Sequence, residues 1–206
     1  MLLWVCWLFF NAGSTAKMAQ LDGAYPSLVM MNTILGAGSG GFFAFFLKHR
    51  IAGSFNDKNK YDVGALCNGT LIGLVSITAG CNNIDPWAAI LIGASGAVIY
   101  GLASRLLIKL KVDDPLEATH VHGFGGLWGV FVVGLFDKDN GIFYGHNWDQ
   151  LGVQISAILA ITGWSIFWSG SYFTICKTMG RFRVPLIHEV VGLDFVEHGR
   201  SIASRP

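Results

Sequence analysis

The chain has 206 residues, of which 52% are hydrophobic and only 13% charged. Soluble domains carry about 25% charged residues, so this composition, with a mean hydropathy of +0.51, is that of a membrane protein. A formal net charge of +1 says nothing about nucleic acid, no basic run argues for it, and no nucleic-acid partner is expected.

A transmembrane helix needs about 20 mostly apolar residues. Residues 1–177 offer six such stretches, at about 2–18, 26–48, 62–81, 86–109, 115–136 and 150–176, and leave a polar tail at 178–206. Short segments of alternating polarity, the mark of a membrane barrel, are absent. The predicted class is an all-α polytopic membrane protein in a lipid bilayer. The first stretch begins at Met1 with MLLWVCWLFFNAGS. It lacks the positive start and small-residue cleavage site of a signal peptide, and Trp4, Trp7, Phe9 and Phe10 crowd it, so it reads as a spanning helix. The second, fourth and sixth stretches are plainly hydrophobic. The third (VGALCNGTLIGLVSITAG) and fifth are weaker and glycine-rich, as spans are that sit behind other helices or line a cavity.

The 27 glycines fit close helix–helix approach in lipid. Asn68-Gly69-Thr70 matches a glycosylation sequon, but inside the third span its polar groups read as partners in helix–helix hydrogen bonds. Asp85-Pro86 opens the fourth span as N-cap and first helical residue. Asp114-Pro115 opens the fifth in the same way, and Glu117 at the N3 position completes a capping box. Cys6, Cys67, Cys81 and Cys176 have no metal-ligand spacing, and no metal, cofactor or structural disulfide is expected.

Lysine and arginine set the orientation. Of the 14, Lys17 and Lys138 fall on one side of the spans, and the remaining twelve, from Lys48 to Arg205, fall on the other. The richer side is cytoplasmic, which places both termini there and the loop 137–149 outside.

Two histidines, His120 and His122, stand in the fifth span. On an α-helix they diverge by about 200°, so they cannot chelate one metal. That divergence and the lack of a second ligand set argue against a metal hydrolase built from Glu117, His120 and His122. Glu117 and His120 are three apart and are expected to pair near the membrane surface. His122, seven residues past Pro115, lies roughly 10 Å into the membrane. An ionisable residue at that depth marks function, and Gly123, Gly125, Gly126 and Gly129 around it let a neighbouring helix approach and hold the ring. A neutral imidazole offers one donor and one acceptor, which suits a small polar solute or a proton.

The run DDPLEATHVHGFGGLWG, with Asp113, Asp114, Glu117, Val121, His122, Gly123, Gly126 and Gly129, resembles the tenth-span signature of the ammonium transporter/Rhesus family, D-D-x-x-D/E…V-H-G-x-x-G-x-x-G. WVCWLFFNAGS is similar to that family's sixth span and NGTLIGLVSITAGC to its eighth. RVPLIHEVVGLDFVEHG resembles its cytoplasmic tail motif, G-L-D-x-x-x-H-G, through Asp194, His198 and Gly199. The likeness runs from the first residues to about Gly199.

What the resemblance implies is the second half, spans six to eleven, of an eleven-helix inverted-repeat ammonium transporter fold. The first repeat has no counterpart here. With it are missing the partner of the tenth-span histidine, an outer aromatic and the first of two gate phenylalanines. By resemblance His122 falls on the second pore histidine, Phe10 on the second gate phenylalanine and Ser14 on the serine of the external recruitment site. Trp7 and Thr78 fall on motif residues near the pore. Asp113, Asp114, Glu117, Asp194, His198 and Gly199 fall on structural or regulatory motif positions. Cys6 departs from the family's usual glycine and Glu117 from a frequent aspartate. His120 matches no functional position and is given a structural role.

The implied activity is transport and not enzymatic: ammonium is recruited, loses a proton past the gate, and passes the histidine as ammonia. The implied setting is the plasma membrane, as a homotrimer of full-length chains, with the C-terminus in the cytoplasm. The present chain is expected to be a partial one, inactive alone, and the sequence leaves open both Met1 as its start and Met1 as an internal methionine of a longer gene. The alternatives are a regulatory or sensor half-subunit that assembles with full-length transporters, and a Rhesus-like gas channel.

Overall fold

A computed structural model describes residues 2–15, 24–52 and 62–198. Among these residues the regular structure is entirely helical. Eight α-helices follow in order: α1 (Leu2–Gly13), α2 (Ala24–Ala52), α3 (Val63–Thr78), α4 (Pro86–Lys109), α5 (Gly125–Phe136), α6 (Asp149–Thr178), α7 (Leu186–Val191) and α8 (Leu193–His198). A π-helical turn, Thr119–Phe124, leads directly into α5. Four segments, Tyr25–Leu47, Pro86–Lys109, Thr119–Phe136 and Asp149–Thr178, are long and apolar enough to cross a membrane, whereas α1 and α3 are shorter apolar helices. The chain divides into two compact units, Met1–Ile158 and Leu159–Pro206.

In the first unit α2 is the hub, packed along both α3 and α4, which also touch each other. Glycine makes this possible. A Cβ on Gly40 would stand 2.5 Å from the Gly69 carbonyl oxygen and 2.8 Å from the Gly73 Cα, so α2 and α3 meet backbone to backbone. Gly93 of α4 presses equally closely on the Gly36 backbone. Lipid tails give helices no hydrophobic reason to associate, so close packing of small residues supplies the dispersion energy instead. The core accordingly holds Ala12, Ala37, Ala44, Ala65, Ala88, Ala89 and Ala97, each at most 1% exposed, between the larger Ile72, Leu74, Ile77 and Tyr100.

Buried amides and hydroxyls tie the helices together. Asn32 of α2 is fully buried and its Nδ2 donates to the carbonyls of Cys81 and Ile84, 3.0 Å each, which fixes the turn between α3 and α4. Asn11 of α1 donates to Thr33 Oγ1 of α2 at 3.0 Å. Two ends of the unit can be told apart: one holds Ser14, the 79–85 turn and the 137–148 connection, and the other holds Asp62 and residues 110–118.

Two of the three acidic helix starts depart from what the sequence predicts or leaves open. Asp62 caps α3, accepting from Gly64 N at 2.8 Å. Asp85 sits at the N-cap of α4 with Pro86 behind it but makes no capping bond. Its carboxylate is taken instead by Lys138 Nζ at 2.7 Å and Tyr144 Oη at 2.5 Å. The capping box at Asp114 does not form. Pro115 and Leu116 lie in a turn, Glu117 adopts a left-handed φ of 57°, and helix begins only at Ala118. Asp114 still caps, with its two oxygens accepting from Ala118 N (3.0 Å) and Thr119 N (2.8 Å), but Glu117 turns away to other partners.

Candidate conduction site

Trp7 and Phe10 lie along α1, Ser14 in the turn directly after it, and Thr78 closes α3. Trp7 Nε1 donates to Thr78 Oγ1 at 2.8 Å, and that hydroxyl donates in turn to the Leu74 carbonyl at 2.7 Å. The Trp7 and Phe10 rings meet edge to face, with centroids 6.4 Å apart. Each aromatic is therefore placed by the next: Thr78 holds Trp7, and Trp7 backs Phe10. Ser14 Oγ donates to the Phe10 carbonyl at 2.7 Å. A cavity of about 370 Å³ is lined by Phe10, Asn11, Ser14, Thr15, Tyr25, Thr78, Cys81 and Asn82. The structure thus brings Phe10, Ser14 and Thr78 together around one space, rich in hydroxyl and amide oxygens and flanked by two aromatic rings. Asn82 Nδ2 donates to Tyr25 Oη at 3.1 Å along its rim.

The same end carries a polar clasp. Asn83 Nδ2 donates to Asp137 and Asp139, 2.9 Å each. Asp137 Oδ1 receives the Asp139 and Asn140 amides. Hydrogen bonds from Lys138 and Tyr144 hold the Asp85 carboxyl below its ordinary 3.8. Desolvation and the neighbouring Asp85 push the Tyr144 phenol up to about 12.

At the opposite end the histidines exchange the places expected of them. His120 is 4% exposed, packed with its ring edge against Tyr100, and its Nδ1 lies 3.1 Å from Asp114 Oδ2. The expected Glu117–His120 pair does not form. His122, within the π-helical turn, is exposed. The glycines do not grip its ring. Gly125 packs on Ile72 and Val75, and Gly129 on the Ser76 and Val75 carbonyls, so they seat the segment on α3. A π turn makes i→i+5 bonds, so the 200° divergence of an α-helix does not carry over to this segment.

Glu117 Oε2 accepts from Asn68 Nδ2 at 2.9 Å and from the hydroxyl of the fully buried Tyr100. One carboxylate therefore joins α3, α4 and the entry to α5. Burial pushes the Asp114 carboxyl up, but hydrogen bonds from the Thr119 and Ala118 backbone and from His120 outweigh it, so its pKa falls below 3.8. Asp113 is exposed. Asp194 and His198 belong to α8, in the second unit, and Gly199 lies outside the described residues.

The sequence singles out Asn68 and Glu117 but not their bond to each other, nor Tyr100, Asn11, Asn32 and Thr33. An amide inside an apolar span is the signal that marks all three asparagines. Nothing in the sequence pairs Asp114 with His120, six residues on, because no regular helix brings residues at that spacing together.

Comparison with known proteins decides the family. The sequence profile of the Ammonium Transporter Family matches residues 1–202. The chain belongs to the ammonium transporter family. Ammonium transporter 1 member 3 of Solanum lycopersicum is 34% identical over 97% of this chain and 47% of its own length. A putative ammonium transporter of Synechocystis is 36% identical over 97% of this chain and 43% of its own. Among solved structures, one described as a sensor Amt protein superposes with a TM-score of 0.80 at 30% identity, over 95% of this chain and 46% of that one. Saccharomyces cerevisiae Mep2 gives 0.78 at 26% identity, over 89% and 42%. This ammonium transporter family chain therefore spans a little under half the length of these relatives. It has the all-helical fold of a part of theirs, and with its apolar helices it is a membrane protein.

Proposed function

We propose that this chain supplies the second half of a transmembrane ammonium pathway. The supporting observation is the family match over residues 1–202 together with the convergence of Phe10, Ser14 and Thr78 on one cavity. In this reading the Ser14 end faces outward. The Ser14 hydroxyl and aromatic faces take ammonium by hydrogen bonding and cation–π attraction. Phe10, held by Trp7 and Thr78, guards the passage inward. Lipid excludes a bare charge at a cost of several kcal/mol, so the proton is shed there and ammonia continues past His122, whose imidazole supplies a donor and an acceptor. A potassium ion has no proton to lose and is rejected. No bond to carbon changes, so the activity is transport and not catalysis.

The same reading takes six segments, including α1 and α3, through the bilayer. It places the C-terminus in the cytoplasm, makes Asp194, His198 and Gly199 a regulatory tail, and assembles complete proteins as trimers. It also makes the chain inactive alone. A pathway walled on one side leaves polar groups facing lipid, and both His122 and Phe10, 61% exposed, stand open here. The test is methylammonium uptake by membranes holding this chain with and without a complementary first half. His122→Ala is expected to change flux or discrimination against potassium in the completed pathway, and unchanged values would refute its role.

A second reading, a regulatory half-subunit, is favoured by the likeness to the structure described as a sensor Amt protein. Co-purification with a full-length relative, without restored flux, would select it.

A further inference from the structure

The π-helical turn Thr119–Phe124 is held at both ends, and His122 lies between the holds. After it, Gly125 and Gly129 lock α5 onto α3 so tightly that a Cβ on Gly129 would stand 2.8 Å from the Ser76 carbonyl oxygen. Before it, the Asp114 carboxylate accepts three bonds: from Ala118 N, from Thr119 N and from His120 Nδ1. His120 and Asp114 side chains are only 5% and 10% exposed. The Tyr100 ring closes against His120, with centroids 6.2 Å apart. Glu117 fixes that same Tyr100 through its hydroxyl.

A π turn takes one residue more per circuit than an α turn and persists where the surroundings over-determine it. Release of the entry hold lets the segment relax by one residue into an α-helix, because the exit cannot move. Each residue turns about 100° on an α-helix, so this slip swings everything between the holds by about that angle. Val121, 2% exposed in the apolar core, is the one residue between His120 and His122, so His120 makes the last polar hold before His122.

We propose that His120, through Asp114, is a positioning residue that fixes the direction of His122. The proposal rests on the reading of His122 as the pathway histidine, but its geometry can be tested without transport. The family resemblance gives His120 no functional position and the sequence pattern offers it Glu117 rather than Asp114, so the role comes from this fold.

The experiment is NMR of the 206-residue chain in detergent micelles, labelled to report backbone shifts over 119–136 and the His122 ring. His120→Leu removes the bond to Asp114. It is expected to shift or double the resonances of His122 and Gly123 and leave those of Gly129–Phe136 in place. His120→Asn, whose Nδ2 can occupy the place of the imidazole Nδ1, is expected to restore the wild-type pattern. Should His120→Leu fail to fold, Asp114→Asn is read in the same way. Wild-type His122 and Gly123 resonances in His120→Leu overturn the proposal, as do changes spread evenly through Phe136. Loss of folding in both variants also overturns it, since the pair would then serve the fold as a whole. Transport is not measured, so failure of the ammonium reading leaves this result standing by itself.

Discussion

Asn32 sits at a point where one amide holds a turn that shapes the Ser14 cavity. Its Nδ2 donates to the Cys81 and Ile84 carbonyls, 3.0 Å each, and both residues are at most 5% exposed. Asn32→Ala leaves two buried carbonyls without that donor, at about 1–3 kcal/mol each. Asn32→Asp is nearly isosteric but turns an acceptor toward both carbonyls, so it is expected to be at least as damaging as alanine. For a chain of this size each kcal/mol moves a melting midpoint by roughly 2–4 °C, which makes a fall of at least ~4 °C the expected outcome. The assay heats the purified protein in detergent and measures the fraction left in the monodisperse chromatographic peak. An Asn32→Asp protein that melts with the wild type would show that the 79–85 turn is held by something else.

Other expectations follow from single contacts. Thr78→Val removes the acceptor of Trp7 Nε1 and should cost about 1 kcal/mol; the Trp7 indole N–H should then exchange faster with solvent, and an unchanged rate would contradict the link. Gly129→Val would force a side chain within 3.0 Å of the Val75 carbonyl oxygen, and overpacking of about 1–3 kcal/mol should lower the melting temperature or prevent folding. Asp85 has a depressed pKa, so the stability it contributes is present above 3.8 and is lost as the pH falls through its lower folded value. Amide protection in Ile142–Tyr144, corrected for intrinsic exchange, should therefore drop in that acid range, and Asp85→Asn should abolish the transition.

Much of the fold is legible in the sequence because lipid imposes a simple rule. Apolar stretches become helices: each of the six expected stretches contains one or lies within one, and four of those segments are long and apolar enough to cross a membrane. The family is legible too, because its motifs are short and ordered. The details at helix ends are not. Asp85-Pro86 and Asp114-Pro115-x-Glu117 look alike as cap patterns, yet Asp85 is drawn off by Lys138 and Tyr144. Glu117 is drawn off by Asn68 and Tyr100, at the expense of a left-handed backbone. Each is a long-range partner overriding a local preference. The same holds for His120, which is drawn to Asp114 and Tyr100 rather than to Glu117, three residues before it.

The account's central claim is that this chain is one half of an ammonium pathway that passes His122. Its most direct test is methylammonium uptake into proteoliposomes containing the chain alone, or the chain with the first five spans of a relative such as the Synechocystis protein, each with His122 intact or replaced by alanine. No uptake by the chain alone, uptake with the complement, and a marked change with His122→Ala is the predicted result. Uptake by the chain alone, or complemented uptake indifferent to His122, would contradict it.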